Sequence, residues 1–313
     1  MRRNERGFAL VAVLLVLALL GIVGAEFAYS MRLEASAMRS WRDSLAAAHL
    51  AEAGVEQALR ELSGDFGVVA VADDGLLTFS TTAGLALPRL PRTRVRLGPG
   101  EFSYRITDEQ ARINVNSASP ERLEKILQCL GVDKTIRDPI VDSILDWIDT
   151  NDEHRANGAE SDDYYLKLPT PYRARNGPME SLDELLQIKG VTPAIFEGTG
   201  GGPGLAEALT ARSPRLQRYN VNTVGPLVLC GLGIADALIS EILQHRHEAP
   251  YLTTPTTMPA GTGFSITSQI FRIEAEGLID GRPRASVTAI VEKRGPSGGA
   301  TSPLVILEWS GIR

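Results

Sequence analysis

The sequence predicts an α+β protein in which one long N-terminal helix packs on an antiparallel sheet and a large α-helical domain interrupts that sheet. A helical pattern runs from residue 8 to residue 62. Short strand-like segments occur in two widely separated places, within 63–110 and within 251–313. The stretch between them, 111–250, is mostly helical in pattern. A domain inserted into a sheet is the simplest arrangement that accounts for both sets of strands.

The first half of the long helix has the character of a membrane span. Residues 8–25 contain no charged side chain and come close to the roughly 20 apolar residues that a bilayer requires. Arginines at positions 2, 3 and 6 precede this span, and the positive-inside rule therefore places the N-terminus in the cytoplasm. We expect a single-pass protein whose later residues lie outside the cytoplasm.

A short basic leader ends in glycine directly before an aromatic residue, at Arg6-Gly7-Phe8. A secretory signal peptide ending near Val23-Gly24-Ala25, or a plain membrane anchor, would account for the apolar run but not for this junction. The junction resembles the cleavage site of type IV prepilins and pseudopilins. That resemblance implies a leader of residues 1–7, cleavage after Gly7 by a prepilin peptidase, and methylation of Phe8.

Position 12 departs from the common pilin pattern. Most pilins carry a glutamate five residues into the mature chain, and the corresponding residue here is Ala12. Because a carboxylate in the membrane needs a partner, its absence predicts an unusual place in the filament. Among pseudopilins, the missing glutamate resembles the K-type minor subunit of type II secretion, which sits at the tip.

The helical pattern continues beyond the membrane span. Apolar residues recur mostly at steps of three and four, as in an amphipathic helix, at Leu33, Ala37, Trp41, Leu45, Ala48, Val55, Leu59 and Leu62. A helix from 8 to 62 would be about 80 Å long. Its outer half needs an apolar partner, and we expect the following sheet to supply it.

The strands are predicted from short segments bounded by glycine and proline. They are 76–81, 92–97 and 101–107 before the insert, and 271–279, 284–293 and 303–310 after it. Asp280-Gly281 separates two of these segments and is a strong hairpin signal. The predicted divisions are a leader (1–7), a long helix (8–62, with 8–25 in the membrane), a sheet domain (63–110 and 251–313) and an inserted helical domain (111–250).

Composition adds two expectations. The chain has 32 basic and 38 acidic residues, a net charge of −6, whereas a protein that neutralises nucleic-acid phosphates is usually basic. The two cysteines, Cys129 and Cys230, would lie in an oxidising compartment if the topology is as predicted. Their spacing is compatible both with a disulfide and with two buried thiols.

The inserted domain contains a near repeat. The sequence RINVNSASP at 112–120 is echoed by RYNVNTVGP at 218–226, and each copy leads into an apolar run and then Gly-Val or Gly-Ile. Residues 181–192 form a third, partial copy. Polar side chains late in each copy favour helix starts there. The expected N-caps are Asn116 or Ser117 and Asn222 or Thr223.

This pattern resembles the helix-hairpin-helix module. In DNA-binding relatives, backbone amides of the turn and nearby basic side chains hold a phosphate. Here two of the three turns carry an acidic residue where a phosphate would sit, and basic residues are sparse. We therefore expect no nucleic-acid partner and hairpins that serve as packing units. The alternative is a membrane-anchored periplasmic DNA receptor.

Acidic residues are densest between the first two hairpins. Residues 149, 151, 153 and 160 have the spacing of calcium-loop positions 1, 3, 5 and 12, but His154 stands at position 6, where an EF-hand needs glycine. A cation would offset the repulsion between so many like charges. A solvated acidic loop is the alternative. The predicted calcium ligands are Asp149, Asn151, Asp152, Glu153, Glu160, Asp162 and Asp163.

The same region carries the most specific family resemblance. The motifs are DWID at 146–149, GAE at 158–160, YY at 164–165, PY at 171–172, NGP at 176–178 and SLDEL at 181–185. Together they are similar to the signature of K-type minor pseudopilins of type II secretion. A minor pilin of a type IV pilus is the alternative within the same broad class.

The resemblance to K-type pseudopilins carries several implications. It implies structural calcium in the inserted domain. It implies I-type and J-type minor pseudopilins as partners in a tip complex, and contact with secreted cargo or the outer-membrane secretin. It also implies anchoring in a Gram-negative inner membrane, with the C-terminal domains in the periplasm.

Catalysis is not expected from this sequence. Asp149 and Asp152 are a carboxylate pair, but no nucleophile or phosphate-binding loop accompanies them. The histidines and the two cysteines do not form a zinc-ligand pattern. The four histidines are His49, His154, His245 and His247.

Overall fold

The computed structural model describes residues 5–212, 218–259, 263–295 and 303–311, with side chains from residue 10 onward. The helices are α1 (Glu5–Leu62), α2 (Pro120–Cys129), α3 (Lys134–Ile148), α4 (Pro193–Glu197), α5 (Leu205–Ala208), α6 (Pro226–Gly231) and α7 (Asp236–Glu248). The strands are β1 (Val68–Val71), β2 (Leu77–Ser80), β3 (Val95–Leu97), β4 (Gly100–Asp108), β5 (Ile113–Asn114), β6 (Leu209–Thr210), β7 (Tyr219–Asn220), β8 (Phe264–Ser265), β9 (Ile270–Ile279), β10 (Arg282–Lys293) and β11 (Leu304–Ser310).

The first helix, α1, is uninterrupted over 58 residues and is about 87 Å long. Within the described part of the chain it is the one helix long and apolar enough to cross a membrane. The sheet buries α1 only from Ala47 onward, whereas Trp41 is 66% exposed. The predicted packing of the outer half of α1 on the sheet is confirmed for its last part, from Ala47 to Leu62, and the sheet leaves the part before Ala47 uncovered. A strand of ten residues such as β9 spans only about 33 Å, which is shorter than that half-helix.

The main sheet has five strands in the order β11-β10-β9-β4-β3, and all neighbours are antiparallel. Asp280 and Gly281 both have positive φ, as the predicted tight turn between β9 and β10 requires. One face of the sheet packs on α1. At Gly277 the helix lies so close that an added Cβ would stand 1.8 Å from the Ala47 carbonyl oxygen. A glycine is therefore required at this crossing.

The insert leaves the sheet between two neighbouring strands. β4 ends at Asp108, which pairs with Phe271 near the start of β9, so the chain departs and returns at one end of the sheet. The buried apolar residues of the insert form a cluster separate from the cluster between α1 and the sheet. The protein thus has two hydrophobic cores that are joined at this end of the sheet.

The predicted end of the insert at residue 250 lies too early. Tyr251 exchanges two hydrogen bonds with Asn222, at 2.7 and 2.9 Å, and packs against the helical core. β8 pairs with β7 of the insert. These extended residues belong to the insert because β8 pairs with β7, and Tyr251, Phe264 and Ile266 pack against the helical core.

Helical hairpins form the centre of the insert. Gly131 turns the chain between α2 and α3, and Gly233 turns it between α6 and α7, with φ of 76° and 80°. α2 and α6 lie against each other, since a Cβ on Gly231 would come within 2.5 Å of Ile126. A disulfide joins Cys129 at the end of α2 to Cys230 in α6.

The predicted helix N-caps are wrong. α2 begins at Pro120 after Ser119, and α6 begins at Pro226 after Gly225. Proline suits the first turn of a helix because it lacks the N–H that would be unpaired there. The repeated asparagines have another role.

Asn116 and Asn222 tie the hairpins to distant segments. The side chain of Asn116 exchanges hydrogen bonds of 2.7 and 3.0 Å with the backbone of Met179. Asn222 makes the equivalent pair with Tyr251. Each repeat therefore fixes the segment that comes later in the chain.

A buried polar turn joins the two domains. Glu109 is fully buried and accepts hydrogen bonds from Arg112 at 2.7 Å, from Arg272 at 2.8 Å through both carboxylate oxygens, and from Thr210 at 2.6 Å. Burial would raise the pKa of Glu109, but the hydrogen bonds to Arg272 and the two arginine charges lower it on balance. This carboxylate bridges the sheet and the insert.

Candidate functional site

The segment 149–163, hereafter the acidic loop, follows α3 and lies beside a cluster of aromatic rings. Trp147 packs edge-on against Tyr165, with ring centres 5.3 Å apart, and against Tyr172 at 6.3 Å. Its indole N–H donates to Glu184 at 3.0 Å. The family-signature residues that are scattered along the sequence thus come together at one end of α3.

Asp146 is the buried anchor of the loop. Its carboxylate accepts from the backbone N–H of Arg155 at 3.2 Å and of Ala159 at 2.9 Å, and from the Arg155 guanidinium at 2.6 Å. Gly158 is required beside it, because a Cβ there would stand 1.8 Å from Oδ2 of Asp146. The loop is therefore folded around one carboxylate.

Arg155 supplies an internal positive charge. Its Nη1 contacts Asp146 and also donates to Asp149 at 2.7 Å. The hydrogen bond to Asp149 raises the pKa of Arg155. Arg155 is the one lysine or arginine in the acidic loop, and it partly neutralises the two aspartates.

The first part of the loop is closed by side-chain to backbone bonds. Asp149 accepts from both nitrogens of Asn151, at 2.9 and 3.3 Å, and Asn151 in turn accepts from the backbone N–H of Glu153 at 2.8 Å. Asn176 donates to Asp152 at 2.7 Å and to the carbonyl of Asn151 at 3.2 Å. The predicted ligands Asp149, Asn151 and Asp152 are thereby held on one compact turn.

Glu160 has the least ordinary environment in the loop. Glu160 is 2% exposed, and neither of its carboxylate oxygens has a hydrogen-bond partner in the described structure. Burial, followed by the negative charges of Asp146, Asp149 and Asp152, raises the pKa of Glu160 to about 7. A buried carboxylate without a partner is costly, so this position calls for a proton or a cation.

The remaining predicted ligands lie at the surface, as Asn151 and Asp152 also do. Glu153, Asp162 and Asp163 are exposed, and Asp163 accepts from the backbone N–H of Glu160 at 2.9 Å. Over the part of the chain that the structure describes, no three histidine, cysteine, aspartate or glutamate side chains converge closely enough to hold a metal ion. The carboxylates act on Glu160 electrostatically and are not gathered around one point.

Three residues of this site do not belong to the predicted ligand set. Asp146 and Arg155 organise the loop, and Asn176 carries a buried side-chain oxygen without a hydrogen-bond partner among the described residues. A lone arginine within an acidic stretch is the signal that points to Arg155. Asn176 lies 13 positions beyond Asp163, and spacing gives no sign that the two segments meet.

The predicted processing site falls at the start of α1. Gly7 and Phe8 lie within the helix, but the Phe8 side chain falls outside the described part of the structure, as do residues 1–4 of the predicted leader. Cleavage after Gly7 stays a prediction.

The sequence is similar to a known protein family. The family model described as "Type II secretion system (T2SS), protein K" matches residues 104–198, which include the acidic loop. The Type II secretion system protein K of Pseudomonas aeruginosa is 26% identical over 95% of this chain and 91% of its own length. The Putative type II secretion system protein K of Escherichia coli K12 is 29% identical over 63% of this chain and 61% of its own length.

A solved structure has a similar fold. It is a chain of the crystal structure of the GspK-GspI-GspJ complex from the type 2 secretion system of enterotoxigenic Escherichia coli, with a TM-score of 0.63. The match covers 88% of this chain and 98% of that one, at 17% identity. Most of this fold is therefore shared with a protein of distant sequence.

Proposed function

We propose that this chain, which belongs to the family of type II secretion system protein K and is a minor pseudopilin, assembles with other minor pseudopilins at the tip of the secretion pseudopilus. The proposal includes cleavage after Gly7 by a prepilin peptidase. It also includes a periplasmic location for the two domains, and contact with secreted cargo or the outer-membrane secretin. Two features of the fold support this proposal, namely an exposed apolar stripe along α1 and the position of the insert.

The main support for the proposal is an exposed apolar stripe along α1. Large apolar side chains follow a seven-residue repeat with steps of three and four that is interrupted at Gly24 and Glu34, and all of them are exposed: Leu10, Val13, Leu17, Leu20, Phe27, Met31, Met38, Trp41 and Leu45. Such a seven-residue repeat is the pattern by which helices pack side by side. Beyond the membrane span this stripe is uncovered in the single chain, so it suits the helices of neighbouring subunits.

The position of the insert favours the tip. Ala47 of α1 contacts Gly277, while Glu61, one residue before the end of α1, accepts from the Tyr104 hydroxyl at 3.0 Å. Moving along α1 away from the membrane therefore leads toward the end of the sheet where Asp108 starts the insert. A domain-sized insert at that end would clash with a subunit stacked above it.

We expect Trp41→Glu in the full chain to reduce association with the other minor pseudopilins by tenfold or more, about the loss seen when an interface tryptophan is removed. The charge would enter the stripe at a position that is 66% exposed in the single chain, so the fold should be unaffected. Co-purification from membranes of a type II secreting host measures the association.

Ser40→Glu is the matched control for this experiment. It adds the same charge at the adjacent exposed position, which lies off the stripe. Both variants should yield an N-terminal peptide that begins at N-methylated Phe8, which shows that each was processed. Equal recovery of partners with both variants would contradict the stripe as the assembly surface.

We also propose that the acidic loop binds a structural calcium ion. Glu160 would be the central ligand because its two oxygens are buried and unpaired. Asp149, Asn151, Asp152 and Asn176 would add oxygens from the compact turn, and Glu153, Asp162 and Asp163 are further exposed carboxylates of the same loop. Calcium prefers six to eight oxygen ligands of this kind. When bound, it would supply the charge that Glu160 lacks.

The pH dependence of stability tests this proposal. In the absence of calcium, the pKa of Glu160 is about 7 in the folded chain, above the ordinary value of 4.5. Between those two values the folded state binds more protons than the unfolded state, so the free energy of unfolding falls as pH rises. The loss levels off about one pH unit above the folded pKa and amounts to about 3 kcal/mol. Calcium should restore it.

Glu160→Gln should separate the two effects. With EDTA at pH 8, we expect this variant to be more stable than the native chain, because the buried charge is gone. Calcium should then raise the unfolding temperature of the native chain and leave Glu160→Gln unchanged. Glu276→Gln, at an exposed carboxylate on β9, is the control and should behave like the native chain. A calcium response that survives in Glu160→Gln would place the ion elsewhere.

A further inference from the structure

A second unpaired charge lies far from the acidic loop, near the end of α7. Arg246 donates from Nη1 to the carbonyl oxygen of Val224 at 2.7 Å. Its Nε and Nη2 atoms are buried and have no hydrogen-bond partner among the described residues. Burial lowers the pKa of Arg246 to about 10. The guanidinium is thus held in place with one edge unused.

The unused edge has a specific geometry. Nε and Nη2 lie on the same side of the planar guanidinium and present two parallel N–H groups, the arrangement that binds a carboxylate through both of its oxygens. The bond from Nη1 to Val224 fixes the orientation of this fork before any ligand arrives. Little conformational entropy would remain to be lost on binding.

A cavity stands beside Arg246. It has a volume of about 220 Å³ and lies between the β1–β2 hairpin and the end of α7, with Val71, Thr78, Asn222 and Pro250 among its walls. A carboxylate group is small enough to enter this space. Arg246 is itself one of the residues that line this cavity, so an unpaired guanidinium edge and room for a ligand occur side by side.

The acidic residues of this chain near the cavity are not paired with Arg246. Asp73 lines the cavity but its carboxylate lies 2.9 Å from His247 Nδ1 at the surface, and Glu248 is exposed. These two acids, with the negative end of the α7 dipole, disfavour a doubly charged anion such as phosphate. A singly charged carboxylate remains the best electrostatic match.

We propose that the Nε–Nη2 edge of Arg246, together with the cavity beside it, binds a carboxylate group from outside this chain. The group is either a free small carboxylate or the acidic side chain of another pseudopilin. The second source rests on the proposed function, whereas the first does not.

The first experiment uses the full chain in detergent, with acetate as the probe and chloride at equal ionic strength as the reference. Acetate should raise the unfolding temperature of the native chain saturably, by about 2–4 °C at moderate excess. Arg246→Met removes the charge and keeps much of the side-chain length. It should be at least as stable as the native chain in chloride and should show no acetate response.

Arg246→Lys tests the fork itself, because lysine keeps the charge and loses the paired donors. It should lose most of the acetate response. A response that persists in Arg246→Met would mean that acetate binds elsewhere, and would overturn the proposal.

The second arm identifies the source of the carboxylate. If a subunit supplies it, Arg246→Met should weaken co-purification with the other minor pseudopilins about tenfold, and acetate should compete with the native complex. If a free carboxylate is the ligand, acetate should stabilise the native chain while association is unchanged. No acetate response together with unchanged association would overturn the proposal and leave the assembly role of the α1 stripe intact.

Discussion

Replacing Glu109 by alanine should lower the free energy of unfolding by about 3–5 kcal/mol, the cost of leaving a buried charge network without its central partner. Glu109 is fully buried, and its two oxygens receive the fork of Arg272, the guanidinium of Arg112 and the hydroxyl of Thr210. Without the carboxylate, two guanidinium groups would remain half-buried beside an empty space.

The effect should extend across both domains. Arg272 lies on β9 of the sheet, and Thr210 lies on β6 of the insert. Glu109 stands in the turn that links β4 to the insert. Its loss therefore weakens the attachment of the insert as well as the local packing. Hydrogen exchange should show faster opening on both sides of the junction, with the α1 end near Ala47 affected least.

The pH dependence gives an independent check on Glu109. Its pKa is lowered below the ordinary 4.5 in the folded chain, so its contribution to stability is present above pH 4.5 and is lost as pH falls through the folded value. Chemical denaturation of Glu109→Gln and Glu109→Ala at neutral pH measures the contribution. Glu276→Ala, at an exposed position on the same strand as Arg272, should cost less than about 0.5 kcal/mol. A Glu109 variant as stable as this control would refute the role assigned to the network.

Much of the fold was predictable because local signals agreed with the tertiary structure. Asp280-Gly281 predicts a tight hairpin, and the flanking strands 270–279 and 282–293 lie within two residues of their predicted limits. The long helix follows from a pattern that needs no knowledge of its partners. β1 was missed, since four small apolar residues at 68–71 have no periodicity that separates a strand from a helix end.

Errors in the predicted fold arise where distant segments compete for the same side chain. Asn116 has good N-cap chemistry, yet its amide pairs with the backbone of Met179, 63 positions away. α2 instead begins at Pro120, and Ser119 is its N-cap. Sequence spacing does not contain this information, because the partner is chosen only when the insert packs.

The candidate site was also predictable only in part. The spacing from Asp149 to Glu160 predicts an oxygen-rich loop, and the structure brings these residues within electrostatic reach. The burial of Glu160 could not be predicted, because it follows from packing beside Ala159 and Tyr165, both fully buried. The role of Asp146 as anchor also depends on backbone N–H groups that the loop presents only once folded.

Removal of the disulfide should have an effect of similar size to the loss of Glu109. Cys129 and Cys230 are separated by 101 positions in the sequence, and they form a covalent bond. Closing a loop of about 100 residues restricts the unfolded chain by about 4.7 kcal/mol in the chain-entropy account, and measured losses for native disulfides are typically 2–5 kcal/mol. We expect Cys129→Ala together with Cys230→Ala to lose stability in that range.

The loss should be selective for the insert. The bond connects α2 to α6, whose close contact at Ile126 and Gly231 belongs to the helical core. The core between α1 and the sheet contains neither cysteine nor any residue between them in sequence. The double variant should therefore unfold its insert at a lower temperature than its sheet domain, which turns one transition into two.

Reduction provides the matched test for the disulfide. Dithiothreitol should lower the unfolding temperature of the native chain toward that of the double variant and should have no effect on the variant itself. Hydrogen exchange under reducing conditions should accelerate in α2, α6 and the acidic loop before it does in β4, β9 and β10. Unchanged exchange in the insert after reduction would mean that packing alone holds the two hairpins together. Because the proposed location is the oxidising periplasm, the bond should be intact in the chain isolated from its host.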